Sequence, residues 1–458
     1  MKFLVIGLGK TGISVLKYLI SCGHTVLSFD TRVDPALKTL VSQQFPGTPC
    51  FLGTLPELAW EGVQVLVMSP GLDPNLPLVA DILKIAQAKQ CVLKSDIELF
   101  LDAVKLGTAK ILGVTGSIGK STVSALTFEM LKASGFRVKL GGNFGIPALD
   151  LLEEGLEYYV LELSSFQLDL LPDPPNLFAA TVLNVSPNHL DRHKTMDHYR
   201  RVKAKIYEGV KFKIIHASED LWTVWNSDQR LSSFSVRLHE GQFYLFHHSK
   251  ALMPAASIRL LGHHNLENAL AALALVSAVF QSKGVQDFSS VAEPSLKVLR
   301  SFEGLPHRCR YVATLEGVTW INDSKGTTGL ASQAALEACG PHALAAGGKI
   351  ILIAGGQAKG ATFENLQMPV SRYAKALIVF GQDAPQLKKD LASWVMTYHV
   401  QDLKSAMALA KKLAVPNDWV LLSPACASLD MFRDYEQRGE MFEAEVRGMA
   451  SLLCCRVG

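Results

Sequence analysis

Lys120 stands in the run Thr115-Gly-Ser-Ile-Gly-Lys-Ser-Thr122, whose residue types suit a polyanion. Glycines let backbone N–H groups come close to a phosphate, and a helix N-terminus adds a favourable dipole. Gly116, Ser117, Gly119 and Thr122 would form the cradle. Lys120 would neutralise the outer phosphates, and the Ser121 hydroxyl would take a Mg²⁺ coordination position. The strict phosphate-loop spacing wants a glycine five residues before Gly119, and this chain has Val114 there. Spacing alone therefore leaves open an ordinary glycine turn before a core helix. The register of the flanking elements favours a nucleoside triphosphate.

Those elements are legible. Lys110-Ile-Leu-Gly-Val114 reads as a short buried strand, and Val123, Leu126, Met130 and Leu131 fall at helical spacing behind the loop. Later strands end in polar residues: Tyr158-Tyr-Val-Leu161 leads to Glu162, Ser164 and Ser165, and Ala179 to Leu183 leads to Asn184 and His189. Ligands of doubly wound sheets bind beyond the carboxyl ends of the strands, so Glu162 and His189 should lie near the phosphates. Either alone reads as a strand-end cap or a loop histidine. Together beside one phosphate loop they favour a Mg²⁺ site, which wants oxygen ligands.

Lys203 is the unusual residue. It shares the helical stripe of Tyr199, Val202, Ile206 and Val210, whereas Lys205 points away. An inward lysine is costly unless paired or neutral, and burial lowers its pKa. The alternative is a stem lying along the core with its head in water.

The first 95 residues form their own α/β unit. Phe3-Leu-Val-Ile6 precedes Gly7-Leu-Gly-Lys-Thr-Gly12, and the next strand ends on Asp30, 18 residues past Gly12. In isolation this is a dinucleotide fingerprint with Asp30 placed for a ribose hydroxyl. Any phosphate-bearing ligand can use the same turn, and Arg32 could pair with a phosphate or lie solvated. A third unit begins near Gly304, with polar strand ends at Asn322-Asp-Ser-Lys325, Gly355 to Lys359 and Ser423 to Ser428. Before it, Gly262-His-His-Asn265 starts a helix with Asn265 and Asn268 on one face; capping would explain only the first. The predicted fold is α/β with three domains, 1–95, 96–302 and 303–458. The outer two are Rossmann-like and the central one is a P-loop ATPase-type parallel sheet.

Composition narrows the class. With 45 Lys and Arg against 42 Asp and Glu, the net charge of +3 is too small to argue for nucleic acid or an anionic membrane as partner. Met1 to Ile6 runs straight into glycines and reads as a strand, not a signal peptide. The apolar run Ala269 to Phe280 spans 12 residues, too short for a bilayer. The eight cysteines lack Cys-x-x-Cys spacing, so reduced thiols in a cytoplasmic protein are expected. The pairs His247-His248 and His263-His264 have no ligand spacing.

Over essentially the whole chain these motifs resemble the ATP-dependent Mur ligases of peptidoglycan synthesis. The resemblance is carried by Gly7 to Ser14, Asp30-Thr-Arg32, Ser69-Pro-Gly71, Thr115 to Thr122 and Gly142-Asn-Phe-Gly145. It continues through Glu162 to Gln167, Asn188 to Arg192, Lys203, Asn265 with Asn268, Gly304 to Arg308, Asn322 to Lys325 and Leu422 to Asp430. The opening glycines and the C-terminal group point to the branch that adds D-glutamate to UDP-N-acetylmuramoyl-L-alanine through an acyl phosphate. The resemblance implies Lys120, His189, Lys203 and Lys325 as catalytic residues. It implies two Mg²⁺ sites held by Ser121, Glu162, His189 and a Lys203 carbamylated by CO₂. ATP would also meet Asn265, Asn268, Arg308 and Asp323. The UDP-sugar would meet Thr11, Thr31, Arg32, Ser69, Gly71, Asn143, Ser164 and Gln167. D-Glutamate would meet Lys325, Thr327, Lys359, Ser428, Leu429 and Tyr435. A monomer without membrane insertion is expected. Ile118, Gly326, Thr328, Gln357 and Tyr435 depart from the family pattern. The rival reading, an oxidoreductase using the Gly7 to Gly12 turn, leaves the second phosphate loop and Lys203 unexplained.

Overall fold

The computed structural model describes residues 1–172, 174–215, 234–260, 262–358 and 360–454. Near-continuous apolar strands separated by amphipathic helices dictate parallel sheets covered on both faces. The first sheet runs in the spatial order Cys50–Leu52, Thr25–Asp30, Lys2–Ile6, Val65–Met68, Val92–Ser95, all parallel. Strand order therefore reverses between Lys2–Ile6 and Val65–Met68, and the crevice there is where such sheets bind ligands. The second sheet runs Phe212–Ile215, Ala179–Val182, Lys110–Thr115, Tyr158–Glu162, Val138–Gly142, again all parallel. A three-stranded antiparallel sheet of Phe234–His239, Gln242–His247 and Lys250–Pro254 follows it in sequence.

These elements, with the helical stretch Asn268–Leu299, make one compact unit. The second unit takes Ser257–Glu267 and the chain from Arg300 on. Its sheet runs Arg310–Leu315, Val318–Asn322, Trp419–Leu422, Ile350–Gly355, Ala374–Phe380, Thr397–His399, with only the first strand antiparallel. Thus two of the three sheets expected from sequence share one compact unit. No described helix is long and apolar enough to cross a membrane. Cys22, Cys50, Cys91, Cys309, Cys339 and Cys426 carry free thiols.

The helix Lys120–Ala133 lies against the central sheet through Val123, Leu126, Met130 and Leu131, all fully buried. Each such side chain contributes roughly 1.5–3 kcal/mol relative to exposure, which anchors the helix whose N-terminus meets the phosphate loop. Strand register sets the rest of the site: Val114 pairs with Glu162 and Thr115 with Val182, so Glu162 emerges beside the loop.

One buried carboxyl is held by Gln167. Asp96 begins the helix Asp96–Val104 and is 3% exposed. Its Oδ2 accepts from the Gln167 amide at 3.2 Å, and its Oδ1 has no hydrogen-bond partner. Burial pushes its pKa up to about 6, against the opposing hydrogen bonds. A folded pKa raised above the unfolded value makes the carboxyl tolerable at low pH and costly once it ionises above about pH 6. Asp96→Asn keeps an acceptor for Gln167 and removes that cost, up to about 3 kcal/mol. The variant should be more stable than the parent at pH 8 in urea unfolding, with the gap shrinking toward pH 4.5. A pH-independent gap would refute the assignment.

Candidate active site

The phosphate loop is held open by backbone conformations that suit glycine. Gly119 has φ +87°, and a Cβ on it would lie 2.5 Å from Asn268 Oδ1. Asn268, which capping did not require, therefore lies directly against the loop and is buried. Asn184, at the end of a neighbouring strand, clamps the loop from the other side. Its Oδ1 accepts from the Ser117 and Ile118 N–H groups at 3.1 and 2.9 Å, and its Nδ2 donates to the Ile118 carbonyl at 3.0 Å. Ile118 thus acts through its backbone, which is why a side chain that departs from the family pattern is accommodated. The Ser117 hydroxyl meets the Tyr199 hydroxyl at 3.1 Å. Sequence reading assigned no role to Asn184 or Tyr199; their positions at a strand end and on the Lys203 stripe were the available signals.

Two lysines converge on one carbonyl. Lys120 Nζ donates to the Gly116 and Ser117 carbonyls at 2.8 and 3.1 Å. Lys203, on the helix Met196–Ala204, is 1% exposed, and its Nζ donates to the same Gly116 carbonyl at 2.9 Å. It also lies 3.4 Å from Thr115 Oγ1 and 4.8 Å from the Tyr199 ring centre. The reading in which its head reaches water is thereby excluded. Burial, and second the nearby Lys120 charge, drive the Lys203 pKa well below the ordinary lysine range, with Glu162 opposing. Its resting form is shifted toward the neutral amine.

Glu162, 2% exposed, bridges two of the expected positions. Its Oε2 accepts from Ser121 Oγ at 2.5 Å and its Oε1 from Asn143 Nδ2 at 2.6 Å. A hydroxyl and a carboxylate side by side beneath a phosphate loop are the hard oxygen donors that Mg²⁺ prefers, so the residues present fit that ion. His189 is exposed, with φ +55°, and its ring meets Phe166 edge-on at 4.8 Å.

Thr11, Thr31, Arg32, Ser69 and Gly71 line a cavity of about 400 Å³ at the switch point of the first sheet. A Cβ on Gly12 would lie 1.9 Å from the Gly7 carbonyl oxygen, so that turn admits only glycine there. The ribose role for Asp30 does not hold. Asp30 is 2% exposed; its Oδ2 takes the Leu8 N–H at 2.6 Å and Arg32 Nη2 at 2.9 Å, and its Oδ1 takes the Arg32 backbone N–H and Nε at 2.9 Å. A carboxylate filled by protein donors orients Arg32 at the cavity instead of meeting a ribose. Ser164 and Gln167 form a reciprocal helix cap, and Gln167 also holds Asp96.

In the second unit, Asp323 is buried, accepts from Ser423 Oγ at 2.6 Å and from the Cys309 N–H at 3.1 Å, and has its pKa raised by burial to about 6. A Cβ at Gly326 would lie 2.5 Å from Asp323 Oδ2 and 2.8 Å from Ser423 Oγ, which gives that departure a steric reason. Lys325 Nζ stands 3.6 Å from the Tyr435 ring centre. That cation–π contact needs only an aromatic face, so Tyr in place of Phe preserves it. The Thr327 N–H donates to the Lys325 carbonyl at 2.8 Å, Ser428 is buried and Leu429 exposed. Arg308 is partly buried, and Asn265 is buried in the first turn of the helix His263–Ser282. Lys359 lies outside the described residues. Arg438, which drew no notice in the sequence, is fully buried. Its guanidinium donates to the carbonyls of Ser324, Gly355 and Cys426, joining three strand-end loops.

Comparison with known proteins agrees along the chain. Residues 1–90 match the MurD-like N-terminal domain of Mur ligases, 114–276 the Mur ligase middle domain, and 307–426 the Mur ligase glutamate ligase domain. The UDP-N-acetylmuramoylalanine--D-glutamate ligase of Marinobacter nauticus is 41% identical, the alignment covering 97% of this chain and 98% of the relative. The enzyme of that name from Legionella pneumophila is 40% identical over 98% and 99%. The crystal structure of UDP-N-acetylmuramate-alanine ligase from Thermotoga maritima superposes with a TM-score of 0.61 at 18% identity, covering 98% of this chain and 100% of that one.

Proposed function

The chain belongs to the Mur ligase family, and from that premise we propose that it joins D-glutamate to UDP-N-acetylmuramoyl-L-alanine at the expense of ATP. The observation that carries the chemistry is the convergence of Lys120, the Ser121–Glu162 pair and a deprotonation-prone Lys203 on the Gly116 loop. The γ-phosphoryl group passes to the alanyl carboxylate, the D-glutamate amine attacks the acyl phosphate, and phosphate leaves the tetrahedral intermediate. Carboxylate and triphosphate repel one another, so this site must supply positive charge and fixed donors. Lys120 and the loop N–H groups do so from the protein. Mg²⁺ held by Ser121 and Glu162, with His189 and Lys203 completing a two-ion arrangement, would add charge neutralisation there. A neutral Lys203 amine can add to CO₂, forming an N–C bond and losing a proton, which turns a repelled ammonium into an anionic oxygen ligand.

We assign 1–95 to the UDP-sugar, 96–302 to ATP and 303–458 to D-glutamate, in a cytoplasmic monomer. The uridine diphosphate end takes Thr11, Thr31, Arg32, Ser69 and Gly71, and the alanyl end takes Asn143 with Ser164 and Gln167. Asn265, Asn268, Arg308 and Asp323 hold the nucleotide. D-Glutamate takes Lys325, Thr327, Lys359, Ser428, Leu429 and Tyr435. Phosphate release, measured across a panel of nucleotide sugars and amino acids, tests the reading: only UDP-N-acetylmuramoyl-L-alanine with D-glutamate should give one phosphate per amide formed. NADH should not bind.

Selectivity for D-glutamate should rest on holding two carboxylates at once. A planar γ-carboxylate suits a lysine with hydroxyl and backbone donors. An acceptor without it would leave that lysine's charge without its partner in the bound complex, which is penalised more than a missing methylene. D-Alanine should therefore turn over at least about a hundredfold less efficiently, and Lys359→Ala should raise KM for D-glutamate with little change for ATP. Equal turnover of D-alanine, or an ATP defect as large as the glutamate defect, would overturn the pocket.

A further inference from the structure

A second group of ligand-type side chains lies outside the nucleotide oxygens. Asp169 closes the short helix Ser165–Asp169, His193 closes the turn Leu190–His193, and His198 lies near the start of the helix Met196–Ala204. One donor atom from each falls within 4.8 Å of the others. His198 Nε2 lies 3.6 Å from Asp169 Oδ1, and the two imidazole centroids are 5.5 Å apart.

His193 supplies the observation that points to a ligand. It is 2% exposed, with Phe166 stacked on it at 5.5 Å and Tyr199 at 5.1 Å. Its Nε2 meets Ser165 Oγ at 2.9 Å, whereas its Nδ1 is buried without a hydrogen-bond partner. A buried imidazole nitrogen left unpaired is costly. Metal-ligating histidines commonly have this arrangement: one ring nitrogen donates to a fixed acceptor, which sets the tautomer and aims the other at the ion. Here Nε2–H would donate to Ser165 and Nδ1 would carry the lone pair.

We propose that Asp169, His193 and His198 form a site for one divalent transition-metal ion of the zinc class, distinct from the Mg²⁺–nucleotide site. Two imidazoles and a carboxylate are the three-ligand set to which zinc adds a water, and imidazole selects zinc over magnesium. The Asp169 and His198 side chains are 28% and 43% exposed, so water has access to the fourth position. Tetrahedral bonds of about 2.0–2.1 Å put donors about 3.3 Å apart, so donors lying within 4.8 Å of one another must close slightly on the ion, which the partly exposed Asp169 and His198 side chains permit. The ion would fasten together the segments that carry Gln167, His189 and Lys203, acting on catalysis through their positions.

The test uses the untagged full chain, titrated with Zn²⁺ by calorimetry and with Co²⁺ by visible absorption. One Zn²⁺ per chain is expected, with a tetrahedral Co²⁺ spectrum. His198→Ala and Asp169→Asn should each weaken Zn²⁺ binding at least tenfold and abolish the spectrum. Neither changes a buried apolar contact. Zn²⁺ should raise the Tm of the parent and not of His198→Ala, and Glu162→Gln should retain the ion. Absence of binding, binding undiminished in both ligand variants, or loss of the ion in Glu162→Gln would overturn the site.

Discussion

Lys120→Ala should lower turnover by at least about 10²–10³-fold, a loss of roughly 3–4 kcal/mol of transition-state stabilisation, with the fold intact. Lys120 is the first residue of its helix, and its ammonium donates to the loop carbonyls of Gly116 and Ser117. The helix is anchored by the fully buried side chains of Val123, Leu126, Met130 and Leu131, which the substitution leaves in place. The defect should fall on kcat, because the charge on the transferring phosphoryl group is what the lysine meets. Phosphate-release kinetics and thermal unfolding measure the two halves separately. Near-normal turnover in a folded variant would remove the phosphate-loop assignment.

Lys203→Met should abolish turnover and raise stability, a pairing that distinguishes a functional buried lysine from a structural one. The side chain is 1% exposed, and its neighbours are carbonyl, hydroxyl and aromatic ring. Its pKa is depressed in the fold, so the unfolded chain binds the proton more readily. For the bare amine, stability is therefore lost as pH falls below the ordinary lysine range and recovered toward it. Methionine fills a similar volume without a charge to bury. The Tm gap between variant and parent should be present at pH 7 and narrow as pH approaches 10. Bicarbonate should narrow it too, by converting the amine to a carbamate whose CO₂ increment native mass spectrometry detects. A bare amine in the presence of metal and bicarbonate would refute the carbamate, and unchanged turnover in Lys203→Met would refute its role.

Much of the site was legible because local chemistry limited the choices. A strand, glycines and Gly-Lys-Ser favour an anion cradle once the flanking elements are in register, and Glu162 follows from parallel register, since strand ends of one sheet face one side. Asp30 shows where such reading fails. Its spacing from Gly12 fits a ribose ligand, yet its oxygens are filled by Leu8 and Arg32. Asp96, Asn184 and Arg438 carried no recognisable spacing, because their partners lie far away in sequence, and Asp169 stands 24 residues before His193 with nothing local to link them.

The sequence by itself determined the α/β class, the glycine turns, the phosphate loop and the inward stripe that carries Lys203. Each is a property of neighbouring residues: periodicity, turn chemistry and the shape of a strand–loop–helix unit. Tertiary structure decided which polar groups found partners. Packing against Tyr199 and the loop carbonyls decided that Lys203 is buried instead of reaching water. It also decided that the first two sheets share one compact unit, and that a histidine four residues past His189 keeps one ring nitrogen unpaired beside a second histidine and an aspartate. Desolvation and long-range hydrogen bonding set these outcomes, and both depend on what surrounds a residue in space.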